Sequence, residues 1–227
     1  YGFNAWGSRL SVDLNYGFSS NIDGTTRDWD WVRYDPEPLI YAETDTDAEC
    51  DFLNANIYYR LWGWGPRNSL DVFAGYHSQE NSFTNRNVRV LTPVYFTAAG
   101  NVAQYEMDFK GVRAGVRMDV ALSRRLTVRG NLAFIPYVDF DATGKWLLRD
   151  ISFSQSADGY GFDFDLSLDF EVARNIDITA GVKFLYLRAT DGEESGYAQG
   201  QPYGPSDVVD EVESDQFGGT VGVLVKF

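Results

Sequence analysis

Asp28-Trp29-Asp30 sets two carboxylates two residues apart, and His77 is the single histidine of the chain. Paired acids hold a water between them, and a neutral imidazole takes its proton, so Asp28, Asp30 and His77 form the candidate catalytic set for a hydrolysis. Each has a plainer reading. Two acids in an acidic stretch make a hydrated surface, and an inward histidine on a strand joins a polar interior. Asp139 and Asp141 repeat the spacing with no base beside them. Glu43, Asp45, Asp47, Glu49 and Asp51 alternate, which in an extended strand lines them along one face. Glu43, Asp45, Asp47 and Glu49 are therefore candidate oxygen ligands for Ca2+, although their spacing is not that of an EF-hand loop. Hydration of the segment is the alternative. Gly-x-Ser-x-Gly, phosphate-loop and Cys/His signatures are absent from the sequence. The lone Cys50 excludes an internal disulfide and a cysteine-rich zinc site, and one histidine excludes HExxH chemistry. No cofactor other than Ca2+ is expected.

The elements that would hold these residues belong to a chain of 227 residues, 44% apolar and 16% aromatic, with a net charge of −14. That charge excludes nucleic acid as a partner, because phosphate binding needs a basic face. It is also unevenly placed. Asp23 to Asp51 holds ten acids against Arg27 and Arg33, and Asp191 to Asp215 holds eight acids and no base. Each segment carries −8, so the remainder is near +2. No apolar run approaches the ~18 residues of a membrane-spanning helix. The sequence opens at Tyr1 without Met or a signal peptide, which implies a matured chain or an N-terminal piece that lies outside it.

The scaffold alternates at period two. From Tyr160 to Val172 every second residue is large and apolar, and the residues between are Gly161, Asp163, Asp165, Ser167, Asp169 and Glu171. A strand so patterned has one apolar and one polar face. A soluble sandwich and a transmembrane barrel both fit that single strand. Eight such strands are legible, over about 8–20, 47–64, 68–85, 104–122, 124–142, 156–173, 175–190 and 212–227. Their connections alternate between tight turns and long segments, the latter at 21–46, 86–103, 143–155 and 191–211. Outer-membrane barrels sort their connections this way, and Greek-key sandwiches do so rarely.

Alternation then sends Arg113, Arg117, Arg129, Asp163, Asp165, Asp169 and Glu171 inward, as an ion-pair network filling a narrow lumen. Aromatic residues such as Tyr16, Tyr76, Tyr137 and Tyr186 fall toward strand ends, as girdles at the two membrane surfaces do. The chain finishes on alternating Phe217, Gly219, Val221, Val223, Val225 and Phe227. That ending resembles the C-terminal signature by which outer-membrane barrels are assembled.

Three stretches resemble the omptin family of outer-membrane proteases. Gly75-Tyr76-His77, leading to Ser82-Phe83-Thr84, is similar to its Gly-Tyr-Gln strand ending in Ser-Phe-Thr. Asp28-Trp29-Asp30-Trp31 is similar to its Asp-x-Asp-Trp motif. Trp146-Leu147-Leu148-Arg149-Asp150 with Phe153 is similar to its His-Tyr-Leu-Arg-Asp stretch. The resemblance extends in strand order from about residue 8 to 227. It implies a barrel of ten strands, cleaving peptides between basic residues with a water held between an acid pair and an Asp-x-His pair. The acid pair falls on Asp28 and Asp30. The Asp-x-His pair falls on Gly144 and Trp146, neither of which can activate a nucleophile, since glycine has no side chain and indole only donates.

The expectation is thus an all-β protein, a single domain over residues 1–227. It is an antiparallel up-and-down transmembrane barrel with eight strands visible, ten if an N-terminal hairpin is missing. Acidic extracellular loops lie at about 21–46 and 191–211. Its place is the bacterial outer membrane, with lipid and lipopolysaccharide as partners and other outer-membrane or extracellular proteins as further ones. Its role is a non-proteolytic anchor, surface-binding or assembly subunit. An omptin-like endopeptidase acting on basic peptides is the first alternative and a small channel the second.

Overall fold

A computed structural model describes residues 3–4, 9–30, 40–65, 67–92, 95–202 and 207–225. Its strands run in chain order: β1 (Phe3–Asn4), β2 (Leu10–Asp30), β3 (Ile40–Gly63), β4 (Ser69–Thr92), β5 (Phe96–Ala121), β6 (Leu126–Trp146), β7 (Ile151–Ala173), β8 (Ile176–Ala198), β9 (Gln201–Pro202) and β10 (Asp207–Val225). They form one antiparallel sheet in the order β1-β2-β3-β4-β5-β6-β7-β8-β10, with β9 beside β8. Every neighbour in that order is also a neighbour in sequence, apart from the two-residue β9. Such a meander is an up-and-down barrel wall. The sheet curls until its ends face each other. Phe18 and Ile22 of β2, Cys50 of β3 and Gln216 of β10 line one crevice of about 510 Å3. Among the described residues no backbone pairing joins β10 to β1 or β2. A seam lies there.

All eight expected strands are present, each longer than its alternation suggested. The difference lies at one end. Segments read as long loops are strand over much of their length, including residues 22–30 and 40–46 of the first acidic segment and 191–198 and 207–211 of the second. In the first segment, cross-strand ion pairs of Glu43 and Asp45 with Arg27 and Arg89 hold the ladder, and in the second Arg188 of β8 pairs with Glu211. Residues 31–39 and 203–206 lie outside the described residues, as do Trp31 and the terminal Phe227 of the motifs above.

The outward face supports the membrane reading of the lower half. On β7 the seven alternate positions from Tyr160 to Val172 are each between 37% and 48% exposed. Twelve residues of strand at ~3.3 Å each, tilted by ~40°, rise about 30 Å, which is the thickness of a bilayer's hydrocarbon core. Leu10, Val12 and Leu14 on β2, Val112, Val116 and Met118 on β5, and Ile178, Val182 and Phe184 on β8 continue this band. Its upper edge is marked by tyrosines whose hydroxyls donate to carboxylates one step higher on the neighbouring strand. Tyr16 bonds Asp51 at 3.1 Å, Tyr137 bonds Asp158 at 2.8 Å and Tyr186 bonds Glu213 at 2.7 Å. A ring in lipid with its hydroxyl in the polar layer is the arrangement that places tyrosine at membrane surfaces.

Candidate functional site

Below that tyrosine edge the barrel interior is ionic. Arg113 and Asp163, whose side chains are each 1% exposed, pair at 3.0 Å. Lys183 adds its charge 3.8 Å from Asp163 and 3.9 Å from Asp165. Arg117 pairs with Asp71 at 2.7 Å while its guanidinium lies 3.8 Å from the centre of the Tyr58 ring, and Arg60 takes the other oxygen of Asp71 at 3.1 Å. Arg129 bridges Asp119 at 2.9 Å and Asp169 at 3.2 Å. Near the short turns Arg67 stands 3.8 Å from Glu171. The structure therefore gathers Arg113, Arg117, Arg129, Asp163, Asp165, Asp169 and Glu171 into one interior. Buried charges are tolerated there because each faces an opposite one.

His77 belongs to the same interior. It is buried, with Nδ1 2.7 Å from Oδ1 of Asn54 on the neighbouring strand. Asn54 pairs opposite His77, whereas Asp28 pairs opposite Ala42 of the same strand β3. Twelve residues of extended chain separate those levels, about 40 Å. His77 and Asp28 are not brought together. Asp30 continues β2 beside Asp28 in the backbone register, and its side chain lies outside the described residues.

Above the tyrosine edge the two faces exchange character. The residues turned inward are now Phe109, Val138, Phe140 and Leu187, all at most 1% exposed, with Ile135 and Leu185 packed beneath them at the edge. Phe109 and Phe140 have ring centres 4.9 Å apart, a good distance for offset aromatic packing. The residues turned outward are Asp108, Asp139, Asp141 and Asp158. On β6 the exchange coincides with a register shift between Ile135 and Val138, where Pro136 removes a ladder donor. Asp139 and Asp141, a second candidate pair, accordingly face outside. An apolar plug contributed by β5 to β8 lies in the barrel above its ionic interior.

The expected metal ligands lie on the outer wall of this upper half. Glu43 stands 3.4 Å from Arg27 and 3.9 Å from Arg89, Asp45 stands 3.4 Å from Arg89, and Asp47 pairs with Arg86. Tyr41 also donates to Glu43, and that bond, with the two arginines, holds the Glu43 carboxyl below its ordinary range. Glu49 is exposed one step further along the strand. Among the described residues no three Asp, Glu, His or Cys side chains gather as a metal-binding group. The stripe is interleaved with cations from β2 and β4, and arginines take the places a cation would fill. Cys50 is half-buried, and burial pushes its thiol up, so it stays an unreactive small residue.

At the outer mouth, above the plug, lies a cavity of about 720 Å3. Asp28 and Thr44 line it from β2 and β3, and Val102, Tyr105, Trp146 and Phe153 line it from β5, β6 and β7. The Tyr105 and Phe153 rings are 5.7 Å apart, and Arg149 lies with its guanidinium 5.5 Å from the centre of the Trp146 ring. Tyr105 donates to Gln155, which donates on to Glu194. Burial pushes the Tyr105 phenol up to about 12, with the Glu194 charge adding to the effect. Gly144 pairs opposite Phe153, and a Cβ placed on Gly144 would collide with the Phe153 ring. The ring occupies the space where any side chain at position 144 would stand.

Asp28 and the Trp146–Phe153 stretch were both legible in the sequence, whereas Thr44, Val102 and Tyr105 were not. The packing of that stretch also left a signal. Folding the chain back about the turn at 147–150 sets Phe153 opposite Gly144, a bulky residue facing the smallest one.

No family model and no curated protein sequence matches the chain. Among solved structures it is similar to the outer membrane protease OmpT from Escherichia coli, with a TM-score of 0.81 at 15% identity, covering 96% of this chain and 79% of that one. The ferric yersiniabactin uptake receptor FyuA from Yersinia pestis also matches, with a TM-score of 0.30 at 12% identity over 98% of this chain and 40% of that one, too remote to carry an argument. The likeness to OmpT shows the fold. This is an OmpT-like antiparallel β-barrel.

Proposed function

We propose that this chain is an outer-membrane barrel that binds at its outer mouth and does not cleave peptides. The lower half, apolar outside and ion-paired inside, suits a lipid bilayer, and the upper half, polar outside and apolar inside, suits water. The solved structure of similar fold, OmpT, is an outer-membrane protein by its description, which supports the same location.

One observation carries the non-proteolytic reading. Across the mouth from Asp28, position 144 has no side chain and is covered by the Phe153 ring, and position 146 is a tryptophan. Asp28 has no general base facing it from that wall. His77, the single imidazole of the chain, is fixed to Asn54 at the tyrosine edge. Activation of water needs a base within hydrogen-bond reach of it. The apolar plug, with Phe109 and Phe140 at 0% exposed, likewise favours a closed barrel over a channel.

A fluorogenic dibasic peptide tests the reading directly. No turnover above the buffer rate is expected from the folded protein in detergent, with Asp28→Ala indistinguishable from it. Turnover abolished by Asp28→Ala overturns the proposal and makes the chain an endopeptidase. Planar-bilayer recordings should show no conductance steps, and steady single-channel currents would refute the closed plug.

A further inference from the structure

We propose that the mouth cavity is a binding site for a small anionic amphiphile, an aromatic or branched apolar body carrying one acidic head group. The inference rests on the non-proteolytic reading of that mouth and adds the chemistry of what enters it. A volume of about 720 Å3 falls within the range of sites that enclose a drug-sized ligand, and such sites are mostly apolar with a few placed polar groups. The wall fits that description. Val102 is buried, and Trp146, Leu148 and Phe153 offer flat or branched apolar surface beside it.

Two polar groups on that wall point to the ligand's chemistry. The described arginines of the upper half are otherwise matched with acids: Arg27 with Glu43, Arg86 with Asp47, Arg89 with Glu43 and Asp45, and Arg188 with Glu211. Arg149 is the exception. It is exposed at the cavity rim, its guanidinium 5.5 Å from the centre of the Trp146 ring, and among the described residues no carboxylate pairs with it. A guanidinium with no carboxylate partner keeps its N–H edge free to donate two parallel hydrogen bonds to an acidic group. Thr44 is the second. Its neighbours Thr26 and Thr46 satisfy each other and Asn85: their hydroxyls lie 2.7 Å apart, one donating to the other and that one donating to Asn85 Oδ1. Thr44, 9% exposed and lining the cavity, has a hydroxyl oxygen with no partner among the described residues. A polar atom on the body of a ligand would supply it, and a buried unpaired hydroxyl is costly enough to favour that. Asp28 stands on the opposite wall, so the site accommodates one acidic head, on the Arg149 side.

Fluorine NMR on protein labelled with 5-fluorotryptophan, held in phospholipid nanodiscs, tests this with 2-naphthoate as the probe. The signal of Trp146, assigned by its loss in Trp146→Phe, should shift saturably. The signals of Trp62 and Trp64, at the opposite end of the barrel, should not move and so report unspecific partition. Arg149→Gln, an exposed substitution, should weaken binding up to about fivefold, the ceiling for a solvent-exposed ion pair. Leu148→Asp, also exposed, should weaken it further by placing a like charge against the head group. The neutral 2-naphthalenemethanol should bind the native protein no better than naphthoate binds Arg149→Gln. A Trp146 signal that does not saturate, or moves in step with Trp62 and Trp64, overturns the site. Saturation unaffected by Arg149→Gln overturns the acidic head group. Peptide turnover is read in a separate assay, so failure of the non-proteolytic reading would be seen independently.

Discussion

The lower and upper halves of this barrel are built from the same strands with opposite cross-sections. Below the tyrosine edge Phe162, Phe164 and Leu166 look out while Asp163 and Asp165 look in; above it Asp139 and Asp141 look out while Val138, Phe140 and Ala142 look in. The difference is set by the surroundings. Lipid requires an apolar exterior and leaves the ionic residues to neutralise one another inside. Water accepts an ionic exterior and drives the apolar residues together inside, as in a soluble barrel. On the outer-membrane placement proposed above, one wall meets two solvents, and the level at which the faces exchange marks the boundary between them.

The comparison breaks most readily at the ionic interior. Arg113→Ala leaves Asp163 buried with only Lys183 near it, 3.8 Å away. Removing one partner of a buried pair costs ~3–5 kcal/mol. Denaturant unfolding of the refolded protein in detergent should show a loss of that order, with Arg113→Met/Asp163→Leu recovering most of it. A loss below about 1 kcal/mol would mean that water fills the lower interior, since exposed pairs are worth no more than that.

A matched pair of outer-wall substitutions sharpens the boundary itself. Leu166 is the middle of the seven outward apolar positions on β7, and Asp141 is an outward position above the tyrosine edge. Leu166→Arg should cost ~2–4 kcal/mol, as a cation at the bilayer midplane does, whereas Asp141→Arg should stay within about 0.5 kcal/mol. Equal effects at the two positions, measured by unfolding in lipid vesicles, would contradict the two-solvent account.

These halves were not equally legible. Strand alternation identifies the lower half, because Asp163, Asp165 and Asp169 on one face and Phe162, Phe164 and Leu166 on the other leave one arrangement once the connections are sorted. The inward set followed from the same alternation but not its pairing, since Arg117 meets Asp71 of β4 rather than an acid of β7. In the upper half the period-two signal is equally clear, yet period alone does not tell which face is inside. The phase of β6 changes at Ile135-Pro136-Tyr137, and β2 shifts register between Ser19 and Ile22. The shift on β6 moves its apolar series from the outer wall at Leu132 and Phe134 to the inner wall at Val138 and Phe140. The acids read as loop were strand for a related reason. Glu43 and Asp45 meet Arg89 only across β3 and β4, a match between residues some forty-five positions apart. The mouth cavity was hidden because it draws on β2 through β7 at once, and no local spacing announces such a set.

The outer-wall ion pairs of the upper half should contribute far less than their counterparts inside. Arg89→Ala removes contacts to Glu43 at 3.9 Å and Asp45 at 3.4 Å, with the Arg89 side chain 44% exposed. The expected cost is at most about 1 kcal/mol, shrinking as salt is raised, because water and counter-ions screen exposed pairs. Unfolding at low and high sodium chloride checks it. A cost that persists undiminished at high salt would place these acids in a buried interface.

The smallest expected effect concerns the one titrating group named in the upper interior. The Tyr105 phenol is pushed up to about 12, first by burial and then by the Glu194 charge. Its unfolded value is near 10, so the folded state holds the phenolic proton more tightly. The sign follows. The neutral phenol's contribution to stability is complete below pH 10 and is lost as pH rises from there toward 12. Thermal unfolding of the native protein should therefore fall more steeply between pH 10 and 12 than that of Tyr105→Phe, with the two curves parallel from pH 7 to 9. Parallel curves over the whole range would mean that the mouth is wet at Tyr105, and that the apolar interior ends at Phe109 rather than reaching the cavity.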